Sequence, residues 1–351
     1  MYKNILINAL VNLGDVILTT SAISLIKKNF PETKITMLVK GVVADAVKNN
    51  PVIDDVIVFD YKAKENSLSK MKAMVEEIRR RNFDLSISFD RKLRPALLAY
   101  IARIPVRVGP NKVFDDNKSR VTWLYTDVVK IEHDLNKTLQ AETYQTIVRK
   151  FFKIDGHEKP VFAKIFPENV LNVDKLFSRL KKSKLKIALC VKGTFPLKTW
   201  SKEYFSEVIN YLAKNYDAAF YIVGAPNDRD YADEVIKETN LPVENFCGET
   251  NLIDLAEIFR RSDLFVTVDT GATHIAATTG VKMITIYGCT SPDRWHPIND
   301  NALVFTSREN CCPCNVKAQD CPSYPKPNCL ENVTPLMIIE ACNKLIGGFL
   351  K

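Results

Sequence analysis

The chain has 351 residues, 46% of them apolar and 26% charged, with a formal net charge of +8. These values exclude a disordered, collagen-like or disulfide-stapled chain, and the length exceeds what one hydrophobic core usually fills, so two domains are expected. No run approaches the ~20 apolar residues of a membrane span, and the basic excess lies in one half: residues 1–165 hold 28 Lys+Arg against 19 Asp+Glu, residues 166–351 hold 21 against 22.

The apolar run Ile5 to Leu13 is interrupted by Gly14-Asp15 and lacks a prompt small-residue cleavage site. It reads as a first strand, not a targeting signal, and places the protein in the cytoplasm. Next, VILTTSAISLIKKNFP reads as an amphipathic helix ending before Pro31. Strand 34–39, helix 41–50, strand 54–60, helix 67–81, strand 83–90, helix 95–103 and a short strand 107–109 follow. Helix 67–81 ends in basic residues, as the helix dipole favours. Residues 110–135 are mixed, and a long helix spans roughly 138–152. KPVF (159–162) reads as a linker into helix 168–180. Alternation resumes with strand 186–191, helix 201–215, strand 218–224, helix 228–239, strand 243–248, helix 252–262, strand 263–269, helix 273–280 and strand 282–288. A Cys- and Pro-rich stretch, 311–329, precedes a last helix, 334–349. Strand–helix alternation implies right-handed crossovers and parallel sheets, hence two doubly wound α/β units. Tandem units of this kind suggest a cleft, and ligands favour the carboxyl ends of parallel strands.

The richest segment is DLFVTVDTGATHIAATTGVKMITIYGCTSPDRW, 263–295. A buried strand ends at Asp269, and Thr270-Gly271-Ala272 turns into a helix near Thr273-His274. Gly271 lets the backbone approach a ligand, and free N–H groups at a helix start suit an anion such as a diphosphate. The alternative is an ordinary strand-to-helix turn with a helix cap. Asp15 follows the first strand beside Gly14, where a carboxylate can serve as a base or simply cap the next helix. Lys198, after Gly193-Thr194 and before Trp200, can neutralise a departing diphosphate or be one more solvated lysine. Trp200 reads as a packing residue. Arg91, Lys92 and Arg94 follow a strand end in the basic half and suit phosphate or carboxylate, or form a solvated loop; Lys112 and Arg120 are weaker candidates.

VDTGATHIAATTGVKMITIYGCTSP resembles the D-(S/T)-G-x-x-H signature of glycosyltransferase family 9, the heptosyltransferase family. LVNLGDVILTTSAISLIKKNFPETKITMLV is similar to that family's opening segment, and GTFPLKTWSKEYFSEVI (193–209) to its G-(T/S)-x-x-x-K-x-W segment. The three matches fall in the family's order and span nearly the whole chain. The resemblance implies a GT-B fold, two Rossmann-like doubly wound domains facing across a cleft. Residues 1–165 would bind the acceptor, residues 166–333 the nucleotide-sugar, and the helix in 334–351 would pack back on the N-terminal domain. It implies inverting, metal-independent transfer, typically of heptose from ADP-heptose to a lipopolysaccharide core or related glycolipid.

By the same resemblance Asp15 is the base and Lys198 the phosphate contact. Gly193, Thr194, Asp269, Thr270, Gly271, Thr273 and His274 fall in the donor site, with Asp228 a loose match for a residue that meets the ribose. The loops Gly224-Ala225-Pro226 and Gly248-Glu249-Thr250 would flank the nucleotide. A lone histidine is more often structural, and His274 rises above that only by its place in the motif. Gly14, Arg91, Lys92 and Arg94 are assigned to an anionic glycolipid acceptor. No cofactor is implied beyond the donor.

Cys190, Cys247, Cys289 and Cys342 sit in apolar contexts and read as packing residues. Of the clustered five, Cys312, Cys314, Cys321 and Cys329 could form a structural zinc site, but the spacing lacks paired C-x2-C knuckles and the zinc is disfavoured. A monomer is expected, without nucleic-acid partners, touching the cytoplasmic face of the inner membrane peripherally through its basic half. Three other readings remain: a transferase of another nucleotide-sugar, a nucleotide-sugar epimerase on the same architecture, or a non-catalytic nucleotide-sugar binder. A dehydrogenase is disfavoured, because no G-x-G-x-x-G follows the first strand.

Overall fold

In the computed structural model, residues 2–60, 67–114, 117–314 and 316–349 are described. The chain divides into two compact units, Met1–Lys164 and Ile165–Lys351.

The first unit holds β1 (Asn4–Asn8), α1 (Leu13–Asn29), β2 (Lys34–Val39), β3 (Asp55–Val58), α2 (Ser67–Arg80), β4 (Leu85–Ser88), α3 (Leu93–Ile101), β5 (Val106–Pro110), β6 (Asp127–Val129) and α4 (Gln140–Phe152). Its strands form one parallel sheet in the order β3-β2-β1-β4-β5-β6. Parallel strands are covered on both faces and therefore read as unbroken apolar runs; Ile5, Leu6 and Ile7 of β1 have no exposed surface. The sequence predicts an amphipathic first helix, yet every residue from Asp15 to Ile26 is buried. Packed on α4, α1 has no watered face over that stretch, and its buried hydroxyls are satisfied within the helix: Thr19, Thr20 and Ser21 donate to the carbonyls of Val16, Ile17 and Leu18. The helix expected at 41–50 is a short 3-10 turn, Gly41–Ala46. The left-handed φ of Asn49 (58°) and the proline at 51 prevent its continuation.

The second unit holds α5 (Pro167–Phe177), β7 (Leu185–Cys190), α6 (Lys202–Asn215), β8 (Ala218–Ile222), α7 (Arg229–Thr239), β9 (Val243–Asn245), α8 (Leu252–Arg260), β10 (Leu264–Val268), α9 (Gly271–Thr279), β11 (Met283–Ile286), α10 (Pro292–Trp295), β12 (Ala302–Phe305), α11 (Asn328–Glu331) and α12 (Pro335–Ile346). The sheet order is β12-β11-β10-β7-β8-β9. Counted from its own first strand, this repeats the order of the first unit, and both match the dinucleotide-binding order 3-2-1-4-5-6. Each sheet therefore has a point where the strand order reverses, β1/β4 in one and β7/β10 in the other.

Within the second unit, the last helix, α12, packs on α6, β10 and β11. Ile338, Ile339, Cys342 and Ile346 join the core that contains Trp200 and Phe205. Trp200, with no exposed surface, donates its indole N–H to the Val333 carbonyl at 2.9 Å, and Tyr216 donates to Asn343 Oδ1 at 2.8 Å. The apolar stripe of α12 thus has its complement in the unit that precedes it directly in the chain. Trp200 is the packing residue its sequence context predicts.

Candidate active site

The reversal point of the second sheet brings the donor-motif residues together. Asp269 directly follows β10, and Thr270 caps α9 by accepting from the Ala272 amide at 3.1 Å. Thr273 returns the favour, accepting from the Thr270 amide at 3.3 Å and donating to the Val268 carbonyl at 3.1 Å. These reciprocal bonds fix the turn, and they tie the Thr273 hydroxyl, fully buried, to the chain itself. Across the reversal, the Lys198 ammonium lies 2.6 Å from Asp269 Oδ2, the two side chains 16% and 8% exposed. Thr290 donates to the same carboxylate oxygen at 2.6 Å. Lys198 stands 5.3 Å over the Phe195 ring, a favourable cation–π distance.

Gly193 explains its own identity: a Cβ there would lie 2.5 Å from the Lys198 carbonyl oxygen. Only glycine lets the strand exit pass that close to the lysine. Thr194 is exposed. Asp228 accepts from the Ala225 amide at 2.9 Å and lies 3.5 Å from Lys192, so it braces its own turn. Gly224 and Gly248 form adjoining loops, the Gly248 amide donating to the Gly224 carbonyl at 3.0 Å.

His274 is 4% exposed, and its Nδ1 has no hydrogen-bond partner among the described residues. Burial pushes its pKa down to about 4; the Lys198 and His296 charges add to that and Asp269 opposes it. The ring is neutral near pH 7 and carries an orphaned polar atom, an arrangement native interiors rarely tolerate away from a functional site.

The reversal point of the first sheet holds Asp15. It lies in the first turn of α1, whose cap position is Asn12, so Asp15 is not the helix cap. Its Oδ1 accepts from the Tyr144 hydroxyl of α4 at 2.8 Å, and the residue is 9% exposed. Gly14 precedes it in the same turn. Of the basic group after β4, Arg91 is half-buried while Lys92 and Arg94 are exposed. Lys92 donates from its ammonium to the Leu10 carbonyl at 3.1 Å, which ties the loop after β4 to the loop after β1. Arg91 and Arg94 also engage other groups. Lys112 is half-buried and Arg120 exposed.

Sequence reasoning missed Asp90 as more than a loop residue. It has no exposed surface, accepts from the Lys92 amide at 2.9 Å, and its Oδ2 has no hydrogen-bond partner among the described residues. Burial pushes its pKa up to about 6; Lys92 and Lys40 lower it and Asp15 raises it. A carboxyl whose pKa is raised on folding stabilises the fold fully below about pH 4, and that contribution is lost as pH rises through 6. The shift of about 2 units corresponds to roughly 3 kcal/mol. Asp90→Asn removes this titration. Its stability relative to wild type, measured by urea melts, is therefore expected to improve by about 3 kcal/mol between pH 4 and pH 7.5. A pH-independent difference would show that Asp90 does not titrate with folding. Tyr144 and Thr290 were also missed; Thr290 lies inside the quoted signature but carried no assigned role.

Among the described residues, no group of three or more His, Cys, Asp or Glu is placed to hold a metal ion. Of the four cysteines considered for zinc, Cys329 is buried and Cys312, Cys314 and Cys321 are half-buried, all as free thiols. Burial pushes the Cys329 thiol up to about 11. No helix among the described residues is long and apolar enough to cross a membrane.

Comparison with known proteins agrees with this architecture. The chain is 25% identical to lipooligosaccharide heptosyltransferase 2 of Campylobacter jejuni, covering 95% of each sequence. Its fold superposes on a family 9 glycosyltransferase from Veillonella parvula with a TM-score of 0.83 at 22% identity, covering 99% of this chain and 98% of that one. It superposes on the E. coli ADP-heptose LPS heptosyltransferase II with a TM-score of 0.78 at 18% identity, covering 99% of each. The two Rossmann-like units are those of the GT-B fold. The profile described as glycosyltransferase family 9 (heptosyltransferase) matches residues 71–324, which is most of the chain, and the chain therefore belongs to glycosyltransferase family 9.

Proposed function

We propose that the protein transfers heptose from ADP-heptose, with inversion, to an anionic lipopolysaccharide-core acceptor. The second unit would hold the donor and the first the acceptor. The observation that carries this reading is the Lys198–Asp269 pair beside the start of α9. A half-buried cation, a helix N-terminus and a glycine turn converge at one sheet's reversal point, which is a diphosphate site in chemical terms. The heptosyltransferase names of the relatives supply the sugar and nucleotide.

Inverting displacement needs a base for the acceptor hydroxyl, stabilisation of the leaving diphosphate, and alignment of the two substrates. Asp15, oriented by Tyr144, is the base. Lys198 meets the diphosphate when ADP-heptose enters, while Asp269 holds the ammonium in place at 2.6 Å. Gly271 and the α9 start approach the phosphates, with Thr194, Thr270 and neutral His274 adding polar contacts. Asp228 serves this site by holding the Ala225 turn. Lys92, Arg91 and Arg94 bind the acceptor's acidic groups near Gly14. Positive charge on the diphosphate comes from these protein groups, and the reading has no requirement for a metal ion. Working beside the cytoplasmic membrane face fits the basic first half.

The test is turnover of ADP-heptose with a deacylated core acceptor, with and without EDTA. Acceptor-dependent ADP release that survives EDTA is expected. Failure of ADP-heptose to turn over, alongside turnover of another nucleotide-sugar, would overturn the heptose assignment.

A further inference from the structure

A cavity of about 470 Å³ opens at the carboxyl edge of the first sheet, between the starts of α2 and α3. Its deeper lining is apolar: Leu10 and Phe59 are buried, and Met71 and Leu97 are half-buried. Its mouth has a different character. Leu68 is 85% and Leu93 52% exposed, and Lys70, Lys92 and Arg94 stand beside them. Large apolar side chains held in water next to cations mark a surface that receives something apolar and anionic together. Water is a poor occupant, because an ordered water needs two to four polar partners and the Leu10 carbonyl is already engaged by Lys92. A free phosphate would satisfy the cations and leave the apolar slot empty. The size suits a ligand that is mostly buried in a mostly apolar site.

We infer that this slot takes one acyl chain of the anionic glycolipid acceptor, with Lys70, Lys92 and Arg94 meeting the phosphate or carboxylate groups at its mouth. The identity of the lipid as the acceptor rests on the function proposed above. The slot adjoins the candidate base through the chain itself: Leu10 lies on the loop that leads to Asp15, and Lys92 ties that loop to the one after β4. An acceptor anchored there would be positioned by its lipid as well as by its sugar, and the membrane face would be set by Leu68 and Leu93. The basic excess of the first half then has a specific use at this mouth.

Two measurements on the full chain test the slot. In the first, dodecyl phosphate is titrated below its micelle concentration, with inorganic phosphate as the control. Dodecyl phosphate is expected to bind wild type, to bind Leu97→Trp and Met71→Trp at least tenfold more weakly, and to resist displacement by inorganic phosphate. In the second, KM and kcat are measured for acylated and deacylated forms of one acceptor. The acylated form is expected to have a KM about tenfold lower in wild type. Leu97→Trp should erase that difference while leaving kcat and the deacylated KM unchanged, which also reports that the variant is folded. No binding of dodecyl phosphate, displacement of it by inorganic phosphate, or an acylation effect that survives both tryptophan variants overturns the slot. Binding that follows these expectations without any heptosyl transfer keeps the slot and overturns the proposed reaction.

Discussion

Asp15→Asn is expected to lower kcat for heptosyl transfer by about 10²–10⁴, the range that a positioned general base contributes, with little change in the KM for ADP-heptose. The substitution keeps an oxygen able to accept from the Tyr144 hydroxyl, now 2.8 Å from Asp15 Oδ1, so the packing of α1 on α4 should survive. That separates chemistry from architecture. If Asp15 served only the helix start, the loss would appear as about 0.3–1 kcal/mol of stability with kcat unchanged. The measurement is acceptor-dependent ADP release at saturating donor, beside a thermal melt of the same variant. Full kcat in a variant that melts lower would return Asp15 to a structural role. The neighbourhood also predicts the profile against pH. Asp90 is pushed up to about 6 by burial and is electrostatically coupled to Asp15, so activity carried by the Asp15 carboxylate should change across the region where Asp90 titrates, and lose that feature in Asp90→Asn.

The parts of this site that were legible in the sequence are those in which one short segment holds both the strand and the turn. Residues 263–280 read correctly as strand, glycine turn and helix because the apolar run, Thr270 and Gly271 are adjacent. The pairing of Lys198 with Asp269 was not legible: 71 residues separate them, and only the parallel pairing of β7 with β10 brings their loops side by side. Tyr144 and Asp15 stand 129 residues apart for the same kind of reason. Two of the four edge strands, β6 and β12, were missed as well. β12 is half-buried along its whole length and β6 is mostly exposed, so neither shows the unbroken apolar run of a central parallel strand. Without them the repeated six-strand order cannot be counted from the sequence. The partners of the last helix were not legible either, because an apolar stripe shows that a helix packs and does not show against what; within the second unit the complement is Trp200 and α6.

Lys198→Met should cost about 10²–10³ in kcat, the loss seen when one preorganised group that stabilises transition-state charge is removed. It should also destabilise the fold, because Asp269, 8% exposed, would lose its counter-ion and, among the described residues, keep only the Thr290 side-chain bond. Breaking a buried pair from one side typically costs about 3–5 kcal/mol, while removing both charges can be close to neutral. The two effects are separated by the double substitution Lys198→Met with Asp269→Asn. If the lysine matters only as the partner of Asp269, the double variant recovers both stability and turnover. If the lysine meets the diphosphate, stability returns and turnover does not. The second outcome is expected, since 2.6 Å between ammonium and carboxylate already satisfies the fold, and nothing in the packing explains why a cation should be held at a glycine turn beside a helix start. Recovery of activity in the double variant would show that turnover needs neither charge and that the single variant failed only because Asp269 was left without its counter-ion.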